Sequence, residues 1–322
     1  MPASIDPEGP DIPLPLRELM AQVGPRWAAG GTVAENIALM CSEFAPVLAA
    51  APKAGVSVFR DIAYGAHPRQ ELDIYAPDAA VQPGGSPRPV VLFVHGGAFV
   101  DGKRNKNEEI YANVLYYFAR HGFVGVNMEY RLAPDFPYPC ATQDVAQTVA
   151  WARSNIARYG GDPSALFLMG HSSGGAHAAS YAYDGEFHPR GGPGVRGLIV
   201  VSGRVRADTE PANPNARKVQ AYYGTDPVLL DQRSPVSKVD GQSVSTFIAY
   251  AEFENPLIDV HSLELASRIA RLTGKAPRLA FLRGHNHTSI IAHMNTAEDY
   301  LGAEIRAFIV DTLAYTHTTR RE

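Results

Sequence analysis

Eight short apolar runs, rich in β-branched residues and separated by stretches of helical periodicity, constrain this chain more than any other feature. They are GVSVFRDI (55–62), QELDIYA (70–76), PVVLFV (89–94), FVGVNME (123–129), ALFLM (165–169), GLIVVS (197–202), STFIAYA (245–251) and RLAFLR (278–283). Each has strand length and composition. From the third run onward, apolar residues between the runs repeat at helical spacing instead: Ile110, Val114, Leu115 and Phe118, then Val145, Val149, Ala152 and Ile156, then Leu263, Ala266 and Ile269, then Leu301, Ile305, Phe308 and Ile309. Continuous apolar strands alternating with amphipathic helices predict an α/β fold. The expected architecture is a three-layer α/β/α sandwich around a mostly parallel eight-stranded sheet, with the first two strands close enough for an antiparallel start.

Two stretches break the rhythm. Residues 1–54 carry apolar helical patches at Leu16–Val23 and Val33–Leu48, and 203–240 is rich in Pro, Asp and Arg. The sequence therefore reads as an N-terminal helical segment over 1–54, expected to serve as a cap or lid, and one main domain over 55–322 with a cap-like insertion at 203–240. No repeat of 20–50 residues divides it further.

With 45% hydrophobic and 19% charged residues among 322, the chain has ample material for a core. Its formal charge of −4 gives no broad positive field, which argues against a nucleic-acid partner or an anionic membrane surface. Cys41 and Cys140 are too few and too far apart for a disulfide scaffold or a Cys-x-x-Cys metal or redox pair, and both read as buried small apolar residues. The start, MPASIDPEGPDIPLPL, shows neither a basic n-region nor an apolar h-region, so a cytoplasmic protein is expected.

The chemistry-bearing motif is Gly170-His171-Ser172-Ser173-Gly174, set directly after the ALFLM run and directly before an Ala-rich helical stretch. A sharp strand-to-helix turn presents the Ser172 hydroxyl, the flanking glycines leave room for neighbouring backbone, and the helix N-terminus behind it favours developing negative charge. After PVVLFV stands His95-Gly96-Gly97-Ala98-Phe99, close to the H-G-G-G loops that aim backbone N–H groups at an attacked carbonyl. Gly96, Gly97, Ala98 and Ser173 are the candidate oxyanion donors.

A serine nucleophile needs a base and an orienting carboxylate, which on this topology follow it in the order acid, then histidine. The loop after the last strand, Arg283-Gly284-His285-Asn286-His287, offers His287 as base, with His285 the alternative. The loop after STFIAYA offers Glu254 as acid, with Asp259 and then Glu252 as alternatives; Asp259 also reads as a first-turn helix carboxylate. His285, His287 and His293 lack the accompanying ligands of a metal motif, so no metal or other cofactor is expected. Arg131 and Asp144 read as a structural ion pair. Phe99, Tyr111, Tyr222 and Tyr223 fit either a pocket wall or the core.

HGGAF, EYRLAPDFPYP (129–139) and ARYGGDPSALFLMGHSSGG (157–175), in that order, resemble the α/β-hydrolase esterases of the hormone-sensitive-lipase-like group over roughly 57–315. The resemblance implies Ser172 as nucleophile, His287 as base, and Gly97, Ala98 and Ser173 as oxyanion donors. Three departures stand out. His171 replaces the group's usual Asp, as in the kynurenine formamidase and feruloyl-esterase-like branches; Ala98 replaces a third glycine; and Glu254-Asn255-Pro256-Leu257 stands where Asp-Pro-Leu is common. The implied function is hydrolysis of small-molecule esters with small to medium acyl chains, with an arylformamidase or other amide hydrolase as the alternative. A homodimer is the assembly that related esterases suggest. A non-catalytic ligand receptor on the same fold is the rival class, but such receptors typically lack a triad residue, and here all three positions are filled.

Overall fold

The computed structural model describes residues 9–29 and 33–318; positions 1–8 and 30–32 of the expected N-terminal segment lie outside it. All eight expected strands form: β1 (Val56–Ala63), β2 (Glu71–Pro77), β3 (Arg88–Val94), β4 (Val124–Met128), β5 (Gly161–His171), β6 (Gly197–Val201), β7 (Ser245–Phe253) and β8 (Arg278–Asn286). They make one sheet in the order β1-β2-β4-β3-β5-β6-β7-β8. The β1–β2 and β2–β4 pairings are antiparallel and the rest parallel.

The helices in chain order are α1 (Leu14–Val23), α2 (Val33–Ala49), α3 (Asp78–Val81), α4 (Ala112–Arg120), α5 (Cys140–Asn155), α6 (Ser173–Tyr183), α7 (Ala216–Tyr223), α8 (Pro227–Arg233), α9 (Pro235–Lys238), α10 (Ile258–Thr273), α11 (Ser289–Ala292) and α12 (Tyr300–Thr318). Strand residues alternate strictly between two cores, which is why the central runs are apolar throughout. Val90, Leu92, Leu166, Leu168, Leu198 and Val200 pack with α5, α6 and α10. Val91, Phe93, Phe167, Met169, Ile199 and Val201 pack with α4, α12 and the N-terminal helices.

The stretch 203–240 folds as α7, α8 and α9 over the first of these cores. The N-terminal helices belong to the second core. Trp27, buried beyond α1, donates its indole N–H to Asn255 Oδ1 at 2.8 Å, tying this segment to the loop after β7. Arg131 and Asp144 form a buried ion pair reinforced by the Arg131 backbone N–H. Cys41 is buried and Cys140 only half-buried, at the start of α5; both are free thiols. Among the described residues, no helix is long and apolar enough to cross a membrane.

Candidate active site

The parallel strands deliver the candidate residues to one edge, because loops at strand carboxyl ends share a side of such a sheet. Ser172 follows β5, the 95–99 loop follows β3, Glu254 follows β7 and His287 follows β8. Ser172 sits at φ 56°, ψ −123°. That backbone region is costly for a non-glycine residue and is held here by backbone hydrogen bonds, from the Ser172 N–H to the Val201 carbonyl and from the Gly175 and Arg204 N–H groups to the Ser172 carbonyl. Its neighbour Gly174 has no alternative: a Cβ there would run into the Val94 and His95 carbonyl oxygens.

His287 Nε2 lies 3.0 Å from Ser172 Oγ, and His287 Nδ1 lies 2.6 Å from Glu254 Oε2. With the ring proton on Nδ1, the Glu254 carboxylate accepts it and Nε2 is free to accept from the serine. The side chains of His287 and Glu254 are each only 3% exposed. A buried carboxylate needs donors for its remaining lone pairs. Glu254 Oε1 finds them in the Ser202 hydroxyl and the Ala251 N–H, the latter at 2.8 Å.

The alternatives fall elsewhere. Asp259 is exposed in the first turn of α10 and makes no hydrogen bond to His287, so its helix-terminal explanation holds. Glu252 is also exposed and accepts from the Gly284 N–H at 2.7 Å. His285 lies between Ser289 Oγ (3.1 Å) and Glu298 (2.8 Å), away from the serine. His293 bonds the Ser289 carbonyl oxygen and packs at a tilt against His285.

In the 95–99 loop, Gly96 approaches Ser172 so closely that an added Cβ would meet the serine Cβ at 3.0 Å. Ala98 and Phe99 take positive φ, 51° and 72°, which turns the loop back on itself. The Gly96 N–H is turned to the Tyr111 hydroxyl, while among the described residues the N–H groups of Gly97, Ala98 and Ser173 make no backbone hydrogen bond. These three are donors left open beside the serine hydroxyl, the arrangement that stabilises an oxyanion. His95 itself is buried under the loop, bonded to Glu129, which Arg69 also grips.

The sequence reading gave no role to His171. Its Nε2–H donates to the His287 carbonyl oxygen at 3.0 Å, while Nδ1 accepts from the Tyr111 hydroxyl at 3.3 Å. Burial, and then the nearness of His287, keeps this imidazole uncharged, well below the usual histidine range. The residue beside the nucleophile thus anchors the histidine loop.

A cavity of about 390 Å³ opens in front of Ser172. One wall is a face of α2 made by Val33, Ala34, Ile37, Ala38 and Cys41, with Ile110, Tyr111 and Ile291 beside it. Of the four aromatic residues open to two readings, Tyr111 lines this cavity. Phe99, Tyr222 and Tyr223 instead pack on one another in the core. The α2 wall is visible in the sequence as an apolar helical stripe, but nothing local says which strand end it covers. Ser202, which reaches Glu254 from the end of β6, carries no sequence signal at all.

Comparison with solved structures matches 95% of this chain to all of esterase B from Lactobacillus rhamnosis, with a TM-score of 0.72 at 18% identity. This chain has the α/β-hydrolase fold. The family described as BD-FAE matches residues 72–189, which hold both the 95–99 loop and the serine turn. Among curated proteins, the chain is 28% identical to the versiconal hemiacetal acetate esterase of Dothistroma septosporum, over 52% of this chain and 48% of that one. It is 30% identical to esterase LipC of Mycobacterium tuberculosis, over 56% of this chain and 47% of that one. The chain thus spans about half the length of these curated relatives.

Proposed function

We propose that this chain is a serine carboxylesterase acting on small-molecule esters with short to medium acyl chains. One observation carries the reading: the unbroken hydrogen-bonded line Ser172–His287–Glu254, lying beside open backbone N–H donors. Ser172 Oγ attacks the acyl carbonyl while His287 Nε2 takes the hydroxyl proton and Glu254 steadies the resulting imidazolium. The N–H groups of Gly97, Ala98 and Ser173 hold the oxyanion of the tetrahedral intermediate. As the intermediate collapses, the ester C–O bond breaks and His287 returns the proton to the leaving alcohol. Water, deprotonated by His287, then attacks the acyl-enzyme, and the acid leaves with Ser172 restored.

The esterase names of the curated relatives support this class of substrate. The walls supplied by α2 and by the loop before α7 support reading 1–54 and 203–240 as a cap over the 55–322 domain. Two free thiols fit a reducing, cytoplasmic setting.

The test is turnover of p-nitrophenyl acetate, butyrate and octanoate, alongside N-formylkynurenine, by the wild type and by Ser172→Ala. Ester hydrolysis that falls by on the order of 10⁶-fold in the variant is expected. Turnover surviving in Ser172→Ala would remove the serine from the mechanism. Cleavage of N-formylkynurenine with no ester hydrolysis would move the assignment to the amide hydrolases, and tight ligand binding without any turnover would favour a receptor.

A further inference from the structure

The cavity in front of Ser172 is apolar on one side only. Its lining also includes Lys106, from the loop that follows β3, and Lys218, from α7. Several cations elsewhere in the molecule are held by carboxylates. Arg104, in the same loop as Lys106, is gripped by Asp61, Glu71 and Asp73; Lys53 meets Glu109 at 2.8 Å and Lys238 meets Asp184 at 2.7 Å. Among the described residues, neither Lys106 nor Lys218 has an ion pair.

Lys106 lies instead against the Cys41 thiol and close enough for its charge to act on His171, which places its ammonium toward the cavity. Asp101 is the one carboxylate among the lining residues; its Oδ1 accepts from the Gly102 N–H at 2.7 Å, and among the described residues it forms no ion pair with either lysine. Both lysines are exposed and come from separate segments to one cavity, so an anionic group entering it meets two positive charges. The remaining lining, Ala34, Ile37, Ala38 and neutral groups such as Asn215, adds no second carboxylate.

We infer that the ester substrate carries an anionic group, a carboxylate or a phosphate-like group, remote from the scissile carbonyl and held by Lys106 and Lys218. This rests on the ester-hydrolase reading and narrows its substrate class. The measurement compares kcat/KM for p-nitrophenyl hexanoate, the p-nitrophenyl half-ester of adipic acid, and p-nitrophenyl 5-phosphonopentanoate. These share a chain length and differ in the terminal group. In the wild type at low salt the anionic esters should be preferred roughly three- to tenfold, the range expected for two solvent-exposed charge pairs, and about 0.5 M salt should erase most of that. The preference should collapse toward one in Lys106→Gln/Lys218→Gln. Carboxylate and phosphonate arms then identify which anion the pair suits.

Equal or better turnover of the neutral ester by the wild type, or a preference unchanged in the double variant, overturns the inference. Calorimetric titration of Ser172→Ala with monoethyl adipate, with and without the lysine substitutions, reads the anion site without catalysis. If no ester is cleaved, the hydrolase reading fails, while this titration still decides the anion site: binding weakened by the substitutions supports it, and binding indifferent to them refutes it.

Discussion

Glu254 and Asp259 carry the same functional group five residues apart, and what separates them is burial and the donors around them. Glu254 is withdrawn from water and receives three hydrogens, from His287, Ser202 and the Ala251 backbone. Asp259 remains in solvent at the start of α10. A carboxylate in the first position fixes the imidazole tautomer and stabilises its charged form; one in the second can do neither. Glu254→Gln should therefore lower kcat for p-nitrophenyl butyrate by about 10³- to 10⁴-fold, the loss seen when a triad acid becomes an amide, with a much smaller change in KM. Asp259→Asn and Glu252→Gln should stay within about twofold of wild type, since surface substitutions touch neither binding nor chemistry. A larger loss in Asp259→Asn than in Glu254→Gln would reverse the assignment.

At the scale of elements, α2 gives the cavity its apolar wall, and its residues Ala34 and Ala38 are small and exposed. A larger side chain at 38 grows into the cavity without disturbing packed core. Ala38→Trp should leave acetate hydrolysis near wild type and depress octanoate hydrolysis by roughly tenfold or more, because lost room for several methylenes accumulates. An octanoate-to-acetate ratio that does not move would put the acyl chain against another wall. The example also marks what a sequence discloses. Period-two and period-3.6 patterns are local, so all eight strands and the helices flanking them were legible, as was the serine turn, whose glycines answer to backbone crowding within a few residues. Strand order and the wall made by α2 depend on contacts between distant segments, such as Trp27 with Asn255, and these leave no periodic trace. Within the candidate site, Ser172 was legible from its turn, His287 and Glu254 only from chain order, and His171 as an anchor not at all. Its partner is a backbone carbonyl, which any residue at 287 would present.

The whole molecule responds to acid through histidines that it buries uncharged. His177 lies under Phe99, Tyr130 and Tyr222, with neither ring nitrogen bonded among the described residues, and burial pushes its pKa down to about 3. His293 is likewise pushed down to about 3, chiefly by burial, and His171 is shifted in the same direction. In the unfolded chain each takes a proton near pH 6.5; in the native state none does until the solution is far more acidic. Between those limits the unfolded state binds more protons, so stability is complete above about pH 6.5 and falls as the pH drops toward 3, by up to ~1.4 kcal/mol per pH unit for each histidine. Urea denaturation from pH 8 to pH 5 should show this decline. His177→Phe keeps a ring in the aromatic nest and removes one titrating site, so its stability should fall with pH more gently, by about one proton's worth of slope. Parallel slopes for variant and wild type would mean that His177 binds its proton equally in both states, and that the nest around it admits water.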